Sequence, residues 1–273
     1  MKKIFLIVSL LILITTSVFA VIEQKAGEVV GQMGTTFNER SGKTEKVEKG
    51  YIITMNDFLQ TGEDGGMILK YVDDTKFTMG PNTELIIDEF AFDTSKVPII
   101  VAMSTTVNVG TFTYESGQIS NLGGSVEINT ASATITVQGT AFSGTVTSTG
   151  HTTITLLPDS SGAVGQVTVA NEAGATTITN AYSSVTVLSD SLAPTPPSPL
   201  NQSQIKDLFD LDTTEEVFEE KVEQQNNRKE QIEKLDTFDK QETKTDINME
   251  VQNEKQEIEV TEEVAGNLEQ ELM

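Results

Sequence analysis

Short apolar segments, each set off by a turn signal, recur along residues 25–190 of this chain. The clearest run is Gly123–Phe142, GGSVEINTASATITVQGTAF, where Val126, Ile128, Ile135 and Val137 alternate with Glu127, Thr134 and Thr136. A period of two puts successive side chains on opposite faces, so it predicts strands with one face buried and one wet. Gly139-Thr140 then turns the chain into the next strand, because glycine tolerates positive φ.

The same pattern extends in both directions. Upstream lie Gly27–Gly31, Gly50–Thr54, Asp57–Gly62, Met67–Val72, Lys76–Met79 and Leu85–Ile87 with Phe90 and Phe92. Glu63-Asp64-Gly65-Gly66, Val72-Asp73-Asp74-Thr75 and Gly80-Pro81-Asn82 mark turns, and polar Asn38–Lys49 reads as an exposed hairpin. Downstream lie Gly144–Thr147, Thr153–Leu157, Gln166–Ala170, Thr176–Thr179 and Ser184–Leu188. The expected fold class is all-β. The irregular spacing favours a sandwich-like or roll-like domain, with a short β-solenoid as the alternative.

The two ends break the pattern. Lys2-Lys3, the apolar run Ile4–Ile14 and Val18-Phe19-Ala20 fit a signal peptide over residues 1–20, cleaved on export; an uncleaved anchor is the alternative. No later stretch is apolar and long enough to span a bilayer, so no transmembrane segment is expected after cleavage. Four of the seven prolines lie in Pro194–Pro199, which reads as a stiff extended linker over 191–200. Residues 201–273 form an acidic tail with 22 Asp/Glu against 8 Lys/Arg. That tail is expected to be disordered or partly helical, with Glu215–Asp239 in partial helical spacing.

Composition narrows the chemistry. The formal charge is −23, and no Lys or Arg occurs between Lys96 and Lys206, which argues against nucleic acid as a partner. The chain has no cysteine, and His151, in Thr149-Gly150-His151-Thr152, is its single histidine at an expected hairpin tip. Asp57, Asp64, Asp73, Asp74 and Asp93 lack the close regular spacing of a calcium loop and read as turn residues. No catalytic, cofactor-binding or metal residue is assigned, and no cofactor is expected. The Thr-rich region 146–190 reads as strands that pair through β-branched side chains.

One resemblance rests on motif order. Gly50, then Asn56-Asp57-Phe58-Leu59-Gln60-Thr61-Gly62, then Lys70–Leu85 with Asp73-Asp74-Thr75 and Gly80-Pro81-Asn82-Thr83, and finally Gly139-Thr140-Ala141-Phe142 follow one another. The series resembles the FecR domain family, whose pattern runs from G-D-x-I-x-T-G through D-G-S and L-G-P-x-S to R-G-T-x-F. It covers about residues 25–145. Gln138 stands where that pattern has Arg, so any ion pair of that Arg is lost. Founding members carry a cytoplasmic segment and a transmembrane helix and regulate a sigma factor. Here a signal-like segment precedes the domain instead.

The expected function is a non-enzymatic binding or scaffold protein of the cell envelope, periplasmic or extracellular. Its sheet edge or Thr-rich face would dock a protein or glycan, and its tail a further protein partner. Envelope signal transduction, as the resemblance implies, is the alternative. A carbohydrate-active enzyme using Asp73/Asp74 and Glu84 is a second alternative.

Overall fold

The computed structural model describes residues 25–205, together with seven helical, exposed residues between Glu220 and Gln231. The expected signal segment 1–20, and the tail 201–273 apart from 201–205 and those seven, lie outside the described residues.

The chain folds into strands wherever the period of two appears. In order they are β1 (Lys25–Met33), β2 (Thr36–Arg40), β3 (Lys43–Lys46), β4 (Ile52–Thr54), β5 (Phe58–Thr61), β6 (Gly66–Tyr71), β7 (Lys76–Met79), β8 (Glu84–Asp93) and β9 (Ile100–Glu115). A four-residue helix α1 (Gln118–Asn121) follows. Then come β10 (Ser125–Asn129), β11 (Thr134–Gln138), β12 (Ala141–Val146), β13 (Thr152–Leu157), β14 (Gln166–Asn171), β15 (Gly174–Ile178), β16 (Ser183–Val187) and β17 (Ser198–Pro199). The all-β expectation holds, and the arrangement is sandwich-like.

Two layers share one strand. The first runs β4-β1-β6-β7-β9-β12-β13-β16-β17, entirely antiparallel. The second runs β3-β2-β5-β8-β9-β10-β11-β14-β15, antiparallel except for the parallel β9–β10 pair that α1 makes possible. Residues 100–109 of β9 serve the second layer, and 110–115 serve the first. The inward face changes phase between them: Met103, Thr105 and Val107 are buried in one half, Phe112 and Tyr114 in the other. Gly110, at φ +114, sits at the change. A Cβ there would lie 2.4 Å from the Thr83 Cα, so only glycine fits.

One core fills the space between the layers. Phe77 and Phe112 stack with centroids 5.1 Å apart, and Phe142 meets Phe112 edge-on at 5.9 Å. Tyr71 of the first layer meets Phe90 of the second at 5.3 Å, so the layers pack face to face. Val126, Ile128, Ile135, Val137, Val167 and Val169 are all buried in the same cluster, as their alternation requires. Threonines on the outer faces pair across strands: Thr168 with Thr177 at 2.9 Å, Thr153 with Thr186 at 3.2 Å.

The Pro-rich stretch, read from the sequence as a stiff extended linker at 191–200, runs along the edge of the first layer. Thr195 N donates to Thr186 O at 3.0 Å, Leu200 N donates to Tyr182 O at 2.8 Å, and β17 pairs with β16. Proline is tolerated there because the strand is an edge, where a missing N–H breaks no inner ladder.

Candidate interaction surface

The turns that carry the sequence motifs are structural devices. Asn56 adopts φ +65, which turns the chain into β5 and places Asp57 inside. Asp57 receives Arg40 Nε at 2.5 Å and Nη2 at 2.7 Å, Asn38 Nδ2 at 2.8 Å and the Thr54 amide at 2.8 Å. Its side chain is fully buried, while Arg40 is 25% exposed, so the guanidinium reaches in from the rim of the layer. Asn38 also donates to the Tyr51 hydroxyl, which donates to Glu45. Burial, and next the Glu45 hydrogen bond, push the Tyr51 phenol up.

Asp73 has a similar role between β6 and β7. Its carboxylate takes the Thr75 amide at 3.1 Å, the Thr75 hydroxyl at 2.8 Å and the Ile119 amide at 3.2 Å, tying α1 to the turn. Asp74, at φ +68, occupies the position where the motif has glycine. Its carboxyl lies below the usual range because Lys70, then Gln118, bonds it. Thr61 and Thr83 lock the next turn: Thr61 Oγ1 donates to Gly80 O at 2.7 Å and receives the Thr83 amide at 2.9 Å. Thr140 is buried, its hydroxyl donating to Leu157 O at 3.1 Å. Gln138, where the motif has Arg, accepts a side-chain hydrogen bond from Gln166 across the strand.

The other singled-out residues sit apart from one another. Asp64 caps the Thr35 amide, and Asp93 accepts from the Ser95 amide and hydroxyl, which holds its carboxyl low. Glu84 opens β8 in the second layer, whereas Asp73 and Asp74 lie in the first layer's β6–β7 turn. His151 lies exposed beyond the β12–β13 turn, where Thr147 N donates to its carbonyl at 2.9 Å. Among the described residues no three His, Asp or Glu side chains gather as a metal would need.

What stands out instead is the end of the β8–β9 hairpin. β8 and β9 pair out to Asp93–Ile100, and the connecting tip carries Val97-Pro98-Ile99-Ile100. Val97 is 99% exposed and Ile100 49%, with Ile99 also exposed. Phe92 and Val101 pair below them, half-buried against the core. Gly124 packs against both Val101 and Ile119, which brings α1 and its exposed neighbour Leu122 to the same end. Toward the tip, from Asp88 to Thr106, the carboxylates of this hairpin are Asp88, Glu89 and Asp93, and Lys96 is its one cation, 3.9 Å from Asp93. Sequence reasoning passed over the tip because Val97–Ile100 does not alternate. The available signal was an apolar run where tips are ordinarily polar.

No protein-family pattern matches the chain, and no curated protein matches it. Among solved structures, the chain is similar to a crystal structure titled a "putative anti-sigma factor" from Parabacteroides distasonis, at 9% identity and a TM-score of 0.43. The likeness covers 56% of this chain and 64% of that one, so the chain spans under two thirds of its neighbour.

Proposed function

We propose that this chain is a non-enzymatic binding module of the FecR-like class, working outside the cytoplasm, whose β8–β9 tip docks on a protein partner. The observation that carries this reading is the exposed Val97-Pro98-Ile99-Ile100 run, with Leu122 at the same end. Covering apolar surface yields about 25 cal/mol per Å², and contiguous exposed apolar side chains mark interaction sites.

Charge defines the partner. Residues 25–205 carry 18 Asp/Glu against 8 Lys/Arg, and none of the eight lies beyond Lys96. The surface therefore fits a protein with an apolar recess rimmed by Lys or Arg, and is repelled by anionic lipid. Support for the FecR-like class comes from the motif residues, since Asp57, Thr61, Thr83 and Thr140 hold turns between the two layers and Asp73 holds the β6–β7 turn within the first. Using Asp73 to hold backbone also supports a binding role over carboxylate catalysis. The run Ile4–Ile14 with Val18-Phe19-Ala20 supports export.

A photo-crosslinking residue at position 97 of the full chain, in producing cells, tests the reading. The expected product is one discrete protein adduct that disappears when Ile100→Asp is added. Lipid adducts, no adduct, or an adduct indifferent to Ile100→Asp would overturn it. The regulatory role that the FecR resemblance implies is this same docking coupled to a signalling chain. It predicts that tip substitutions change transcription as deletion of the protein does.

A further inference from the structure

The edge of the first layer offers a second, independent surface. β16 is Ser183-Ser184-Val185-Thr186-Val187, without charge and rich in β-branched residues, with Ser183, Val185 and Val187 facing the core. Its inner side pairs with β13, Val185 opposite Ile154, so the backbone groups of Ser184 and Thr186 and the carbonyl of Tyr182 point outward along the edge, while the Tyr182 amide donates inward to Leu156 O at 2.7 Å. Residues 195–200 lie over that edge, and 189–194 lead up to it past β14 and β15. Thr195 covers both groups of Thr186, donating its amide to the carbonyl and taking the Thr186 amide on its hydroxyl at 2.9 Å. Leu200 N covers Tyr182 O.

This cover is thin. Its ladder with β16 extends over only Ser183–Pro199 and Ser184–Ser198, and Pro194, Pro196, Pro197 and Pro199 have no N–H to give. The side chains from 195 to 199 are exposed, and Pro194 is the one buried residue of 189–200, so apolar burial holds the segment at its base rather than along β16. At the near end the strap is fastened to β14 and β15: Asn171 Nδ2 donates to its Ser189 O at 3.0 Å and Leu192 O at 2.7 Å, and Thr176 Oγ1 donates to its Pro194 O at 3.4 Å. The strap is anchored at its base and weakly paired along its length.

We propose that residues 189–200 are a displaceable strap over a strand-addition site, and that the occupant of that site is the β16 edge of a second copy. Antiparallel self-pairing centred on Val185 sets Ser184 opposite Thr186 of the partner copy and Ser183 opposite Val187. Inward residues then meet inward residues, and both copies keep their cores covered. Two-fold pairing of Ser184 with Thr186 makes four backbone hydrogen bonds, using the groups that the strap now holds. An uncharged edge of this kind is what charges or proline ordinarily guard against, and here proline supplies the guard.

The absence of cysteine makes the test clean. In the full chain, Ser184→Cys with Ser198→Cys locks the strap on oxidation, because those two positions are paired. Thr195→Pro opens it by removing the amide and the hydroxyl that hold Thr186. Sedimentation across concentration should show Thr195→Pro dimerising at least tenfold more tightly than wild type. The oxidised lock should stay monomeric at every concentration and regain wild-type behaviour on reduction. Adding Thr186→Pro to the open variant removes an edge donor and should abolish the dimer. Leu200→Pro, which frees Tyr182 O, is the second opening variant should Thr195→Pro not fold. Folded opening variants that sediment as wild type, a locked chain that dimerises, or dimers that survive Thr186→Pro would each overturn the proposal.

Discussion

Arg40 and Asp57 are the pair on which the β2–β5 corner depends. A buried carboxylate stripped of its guanidinium loses more than the pair's net worth, because the charge stays behind without compensation. Arg40→Ala is therefore expected to cost about 3 kcal/mol in a urea melt, and a loss below about 0.5 kcal/mol would show the pair to be incidental. Neither partner was legible as such. Asp57 reads as a turn residue because its local sequence, Asn56-Asp57, is turn chemistry, and nothing along the chain points to Arg40, seventeen positions earlier.

Tyr114 gives a pH signature. Burial pushes its phenol up to about 12, with the Ser116 hydroxyl opposing, and burial pushes Tyr71 upward as well. Both are raised above an unfolded value of ~10. The unfolded chain therefore sheds these protons first, and the stabilisation, whole below pH ~10, is lost as pH rises toward the folded value. Stability should fall by about 1.4 kcal/mol per pH unit for each phenol in that window. Tyr114→Phe should make the decline shallower between pH 10 and 12, as read by melting temperature. An unchanged slope would mean that this phenol does not carry it.

At the scale of elements, β10, β11, β14 and β16 were readable because alternation of Val and Ile with Thr, Ser and Glu depends on no distant partner. β9 was not. Its sixteen residues look like two patterns out of phase, and only the layers on either side explain why one strand reverses its inward face at Gly110. Gly110→Ala combines a positive φ with a backbone clash against Thr83, so it should destabilise by more than about 1 kcal/mol. The same substitution at Gly42, which has open space around it, isolates the conformational part alone. Equal costs at the two positions would remove the shared-strand corner as the cause. The Pro-rich stretch was legible in part: proline excluded a central strand, but that the segment lies on an edge follows from where β16 ends up.

For the whole molecule, the proposed docking rests on net charge and one apolar tip. The acidic excess is spread through body and tail, while Val97–Ile100 gathers exposed aliphatic surface at one end. Because Val97 is almost wholly exposed, replacing it with Asp should leave stability within about 0.5 kcal/mol, which separates docking from folding. The direct measurement is a binding titration of the protein captured at position 97, purified, against wild type and Val97→Asp/Ile100→Asp at low and high salt. The predicted result is at least tenfold weaker binding by the double variant at unchanged melting temperature, with wild-type affinity falling as salt screens the acidic rim. Equal affinity of the two chains would contradict the account.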